Sequence, residues 1–160
     1  MEVKEILREF EGLPKFEDGR IDYHNSKRAP VLICFVKFND EILILKRSEN
    51  VMVYKGKWNG VGGFLDEDKS VEEKVLEELK EELDIDKEVV KEIKVRDSYE
   101  LFDEEIDRTW IIFPVLAELS EKPEIKLDRE HTEYKWIRPS EIEEFDFIFK
   151  VDEILERALG

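Results

Sequence analysis

Between Ser70 and Asp84 the chain reads SVEEKVLEELKEELD, and the spacing of its apolar residues admits little other than a helix. Val75, Leu76, Leu79 and Leu83 recur at the three- and four-residue intervals that line one face of an α-helix. Ser70 is followed three residues later by Glu73, a pair that satisfies the first free backbone N–H groups reciprocally. A helix over residues 71–83 is therefore predicted. On its wheel Glu78, Glu81 and Glu82 fill an arc of about 100° beside the apolar stripe, so packing and chemistry have separate faces. Just upstream, Gly62 and Gly63 let the backbone approach both the helix and a ligand.

The remaining periodicities surround this helix with strands. Residues 31–38 and 42–45 are β-branched, apolar runs on either side of Asn39-Asp40-Glu41, which reads as a hairpin. Further strands are predicted at 93–102, 109–119 and 133–137, with 103–107 as a hairpin loop and a helical tail beginning at Pro139-Ser140. At the start, Val3, Ile6, Leu7 and Phe10 recur at helical spacing, and residues 11–30 form a loop-rich lead-in. Residues 48–60 form a long polar and aromatic loop. The expected fold is α/β: a mixed sheet between helices, as one domain over residues 1–160, with 1–30 an extension and 31–160 the core.

Composition narrows the function classes. A chain of 160 residues buries roughly two-thirds of its unfolded surface and needs no staple. Net charge of −16, with 42% of residues charged, argues against long nucleic acid and anionic membranes as partners. A small polyphosphate stays open, because divalent cations bound to carboxylates reverse the local field. The single cysteine, Cys34, lies in an apolar run and is expected to be a buried strand thiol, which with no disulfide framework points to a reducing, cytoplasmic setting. The first residues lack the apolar core of a signal peptide, and no apolar run approaches the length of a membrane span. Nothing in the sequence excludes a homodimer.

From Gly63 to Ile85 the chain, GFLDEDKSVEEKVLEELKEELDI, resembles the Nudix box, whose pattern is G-x5-E-x7-R-E-U-x-E-E-x-G-U with U a bulky aliphatic residue. Gly63, Glu78, Leu79, Glu81, Glu82 and Ile85 match it. The flanks also resemble the family: residues 43–48, Gly56-Lys57-Trp58-Asn59-Gly60, and residues 133–137 before Pro139-Ser140-Glu141, so that the resemblance covers 31–142. It implies a Nudix-like α/β/α sandwich and a metal-dependent pyrophosphohydrolase. Its expected ligands for Mg²⁺ or Mn²⁺ are Glu78, Glu81 and Glu82, of which Glu81 and Glu82 also serve catalysis. Carboxylates at i, i+3 and i+4 suit such hard, oxygen-seeking cations, which would activate a water against a phosphoanhydride. Taken alone, three acids in a chain with 42 acidic residues are a solvated helix face; the glycines, cap and flanks tip the balance.

Three box positions depart from the pattern: Lys69 stands at its first glutamate, Glu77 at its arginine and Asp84 at its late glycine. Asp adopts the left-handed backbone of a helix end at modest cost. Lys74 is the nearest substitute in sequence for the arginine. Lys69 and Glu77 form a reversed ion pair only if the loop before Ser70 folds back, since a straight helix would hold them about 12 Å apart. A further catalytic acid is expected at Glu130, with His131 read as an exposed loop residue. Substrate-binding candidates are Trp58, as a stacking platform, with Lys57, Arg47, Gly62 and Gly63 near phosphate. The substrate expected is a nucleoside diphosphate linked to another group. Two alternatives are a catalytically silent domain that binds a nucleotide or protein partner, and an isoprenoid-diphosphate isomerase-like enzyme, which needs a reactive cysteine.

Overall fold

In a computed structural model, which describes residues 2–51 and 53–160, a mixed sheet lies between helices on its two faces. Its centre is a pair of long parallel strands, β1 (Arg28–Phe38) and β7 (Arg108–Leu119), in register from Arg28 opposite Thr109 to Lys37 opposite Glu118. On the outer edge of β1, two antiparallel strands follow one another: β2 (Glu41–Arg47) pairs with its end and β4 (Val61–Phe64) with its middle. The outer edge of β7 is likewise shared by β5 (Val90–Val95) and β6 (Tyr99–Asp103). The short β3 (Trp58–Asn59) and β8 (His131–Ile137) complete the sheet against β2. The single strand expected over 93–102 is thus two, broken at residues 96–98, and both pair with β7.

Alternation along the central strands builds two cores. Ala29, Leu32, Cys34 and Val36 of β1 point to the face covered by α2 (Val71–Leu83), whereas Ile33 and Phe35 point to the face covered by α3 (Val151–Leu159). With both faces buried, these strands read as continuous apolar runs. The short helix α1 (Val3–Leu7) adds Val3, Ile6 and Leu7 to the first core, beside Phe10. The hairpin between β1 and β2 turns at Asn39, whose φ of 54° is left-handed. No described helix is long and apolar enough to cross a membrane.

Helix α2 begins and ends where its sequence predicts. The Ser70 side chain accepts the Glu73 N–H at 3.1 Å, and Asp84 takes the left-handed conformation at φ 57°. Leu79 and Leu83 are fully buried beneath it.

Trp58 is a correction. The sequence places it in a polar and aromatic loop as a stacking platform, but it occupies β3 with 7% of its surface exposed, in edge contact with Phe145 at 5.4 Å between ring centroids. Its backbone is clamped to the segment before α3, by Trp58 N–H to Asp146 O at 2.9 Å and Ile148 N–H to Trp58 O at 3.0 Å. A ring so enclosed has little free face for a base. Trp58→Ala is expected to cost about 3–5 kcal/mol as a cavity, seen as a fall in melting temperature of roughly 6 °C or more. A rise in KM at unchanged melting temperature would show a ligand role instead.

Candidate active site

The site forms where the second half of α2 meets the glycine turn of β4 and the loop before β8. Helical spacing turns Glu82 inward, at 4% exposure, leaves Glu78 half-buried beside it, and leaves Glu81 exposed at the rim. Gly63 makes room for Glu78: a Cβ at this position would lie 2.7 Å from Glu78 Oε1. The three expected acids are therefore graded in solvent access, and their roles separate accordingly.

The loop of residues 120–130 reaches Glu82 by closing over the end of α2. Lys126 and Asp128 donate their N–H groups to the carbonyls of Leu83 and Glu82, at 3.0 and 3.1 Å, capping two of the helix's free acceptors. This sets His131, with a side chain only 2% exposed, against Glu82: His131 Nε2 lies 3.5 Å from Glu82 Oε1 and Nδ1 lies 2.8 Å from Asp128 Oδ1. His131 is therefore not the exposed loop residue its sequence position suggests. The expected acid Glu130 is exposed; its carbonyl accepts the Ser48 N–H at 2.7 Å, and its charge is felt by Glu82. Asp128 and His131 were missed, and the available signal was the Asp-x-x-His spacing, in which an Asp side chain turns the backbone and meets a residue three along.

Arg47 is brought in by a register shift. The β2–β8 pairing is irregular between Lys46 and Arg47, a feature that re-aims a side chain, and Arg47 faces His131 across the ladder. Its Nε donates to Val53 O at 3.1 Å, and it is half-buried within electrostatic reach of Glu82, Asp128 and Glu130. Lys57, also half-buried, accepts the Arg47 N–H through its carbonyl at 2.9 Å. Gly62 lies on β4 opposite Ile33.

Electrostatically the site disfavours the charged form of its own buried acids. Burial, then the Glu78 carboxylate beside it, push Glu82 well above the ordinary carboxylate range. Burial also raises Glu78, with the charge of Glu81 adding to it. Glu82 Oε2 is buried and has no hydrogen-bond partner among the described residues. One orphaned carboxylate oxygen, a second carboxylate beside it and a glycine that keeps the approach open fit a divalent cation. Cys34 fits no chemistry here: it is fully buried on β1, and burial pushes its thiol up, so the isomerase-like alternative lacks its reactive cysteine.

The departures at 69 and 77 form a charge network. The loop folds back, and Lys69 pairs with both Glu77 and Glu67, the latter at 2.7 Å. Lys74, 3% exposed, holds Asp66 at 3.0 Å and lies 3.6 Å from Glu77. The reversed pair is thus part of a five-residue set, with Lys69 holding Glu77 below the usual range.

Two tests follow from these contacts. Exchanging Lys69→Glu and Glu77→Arg together is expected to leave the melting temperature below wild type, because the new acid faces Glu67 and the new arginine faces Lys74. For Glu82, a folded-state pKa raised above the unfolded value gives stability that is present below the ordinary carboxylate pKa and lost as pH rises through the raised one. In EDTA, wild type is therefore expected to lose stability relative to Glu82→Gln as pH climbs above 4.5. Parallel melting curves against pH would contradict this electrostatic account.

The model for the NUDIX domain matches residues 27–158. Among solved structures, the chain is similar to the MutT protein from Methanosarcina mazei Go1, at 25% identity and TM-score 0.65, covering 84% of this chain and 94% of that one. It is also similar to the NUDIX domain of Shewanella oneidensis NrtR complexed with ADP ribose, at 19% identity and TM-score 0.68 over 82% and 86% of the two chains. A C. elegans Ap4A hydrolase binary complex matches at 22% identity and TM-score 0.60, over 81% and 93%. No curated protein matches the chain. Since the matching model spans most of the sequence, the chain belongs to the NUDIX domain family.

Proposed function

We propose that the chain hydrolyses a phosphoanhydride in a nucleoside diphosphate linked to another group, with a divalent cation, Mg²⁺ or Mn²⁺, held by Glu78 and Glu82 and by Glu81 at the rim. The observation that carries this reading is the buried carboxylate of Glu82, with one oxygen unpartnered beside Glu78. Such a group is strongly disfavoured in a folded protein unless a cation or proton completes it. A cation bound there supplies charge neutralisation and a polarised, more acidic water.

The chain's own residues do the rest. Arg47 supplies a charged, directional contact for phosphate oxygens, and Lys57 follows it through the backbone pairing that closes the loop. Gly63 keeps the approach over Glu78 free of a side chain, and Gly62 beside it on β4 is assigned with it to the phosphate. Glu81 and Glu130, both exposed, are the acids assigned to accept a proton from the attacking water. The ADP ribose bound by the NrtR domain and the substrate named for the Ap4A hydrolase support a nucleotide-linked substrate.

Turnover of a panel of nucleoside diphosphate derivatives, followed by phosphorus NMR, is expected to require Mg²⁺ or Mn²⁺. Glu82→Gln is expected to lower kcat at least about 100-fold, on the order of 3 kcal/mol, as for removal of a group that stabilises transition-state charge. Equal activity in EDTA and in Mg²⁺ would overturn the proposal. A folded protein that binds cation but turns over no member of the panel would favour the silent reading.

A further inference from the structure

We propose that His131 is a metal ligand, and that with Glu82 it makes a mixed nitrogen and oxygen site that prefers a divalent transition ion to Mg²⁺. This rests on the reading of Glu82 as a metal ligand. The first observation is geometric. Asp128 Oδ1 lies 2.8 Å from His131 Nδ1, so a neutral imidazole held by this contact keeps its proton on Nδ1 and leaves Nε2 free to ligate. What it faces is Glu82 Oε1, at 3.5 Å, another acceptor. With the imidazole 2% and the carboxylate 6% exposed, either a proton or a metal cation must lie between these two acceptors.

A second, independent observation is the other oxygen of the same carboxylate: Glu82 Oε2 is buried and has no partner. Arg47, whose charge reaches Glu82, directs its Nε to Val53 O. One ligand atom from each of Glu82, Asp128 and His131 lies within 4.8 Å of the other two. The chain from carboxylate through imidazole to metal is a common way to orient a histidine ligand, with the outer carboxylate fixing the tautomer and raising the basicity of the ligating nitrogen. Asp128 is well suited to that outer place, since its N–H is anchored to Glu82 O at 3.1 Å and it is only half-buried. Imidazole nitrogen favours Co²⁺, Ni²⁺ or Zn²⁺, whereas an all-oxygen set suits Mg²⁺.

The test uses the full chain with metals alone. Mn²⁺ added to wild type is expected to show imidazole ¹⁴N modulation in pulsed EPR, and its absence would overturn the proposal. By calorimetry, Co²⁺ is expected to bind more tightly than Mg²⁺, and His131→Asn to weaken Co²⁺ about tenfold or more while changing Mg²⁺ much less. Asp128→Asn, which keeps the imidazole, is expected to weaken Co²⁺ too, and covers the case in which the His131 variant does not fold. If both ions bind wild type and the His131 variant alike, the imidazole only donates to Glu82 as a cation and this inference falls while the proposed function stands. If neither Co²⁺ nor Mg²⁺ binds wild type, both fall.

Discussion

The constraint on which the site depends is the burial of Glu82 between a helix and the loop that caps it. A carboxylate on the inner face of α2 would ordinarily be excluded, since its neighbours Leu79 and Leu83 are fully buried apolar groups. It is tolerated because the same turn of helix ends there. The free carbonyls of Glu82 and Leu83 draw in the backbone of Asp128 and Lys126, and the loop delivers polar groups where the sheet delivers apolar ones. Completing the helix end and building the site are one event.

The sheet places the other half. Parallel pairing of β1 with β7 along their whole length leaves the outer edge of β1 to be shared by β2 and β4, so Arg47 and the glycine turn come from neighbouring strands. The irregular step at Lys46 and Arg47 changes the direction of Arg47 without ending the ladder. Trp58, one strand further out, ties this corner to Asp146 and Ile148.

The missing arginine at Glu77 has a structural answer. In the family pattern that position supplies a cation beside the ligand acids; here the cations come from Lys74, one turn earlier, and from Lys69 in the folded-back loop. Lys74 is enclosed and paired with Asp66, so it also anchors the loop after the glycine turn. Lys69 is half-exposed, where an ion pair contributes little and is screened by salt. The departures therefore alter the support of the site more than the carboxylates of Glu78, Glu81 and Glu82.

The sequence by itself determined the local structure whose causes are local. The period of Val75, Leu79 and Leu83, the Ser70 cap and the left-handed Asp84 define α2, and it runs over the residues they predict. The apolar runs gave the central strands to within a few residues, and the family resemblance supplied Glu78, Glu81 and Glu82 as candidates. It did not reveal which acid is buried, because periodicity places residues on an arc and only the packed sheet says which edge of that arc is covered. Nor did it reveal His131 and Asp128, about fifty residues along the chain from Glu82. Their approach is set by two backbone hydrogen bonds to a helix end, and backbone donors leave no mark in the residue types that carry them. Trp58 shows the same limit from the other side: a loop-like sequence became a strand because β2 and the segment before α3 offered it hydrogen-bond partners that only the tertiary structure brings together.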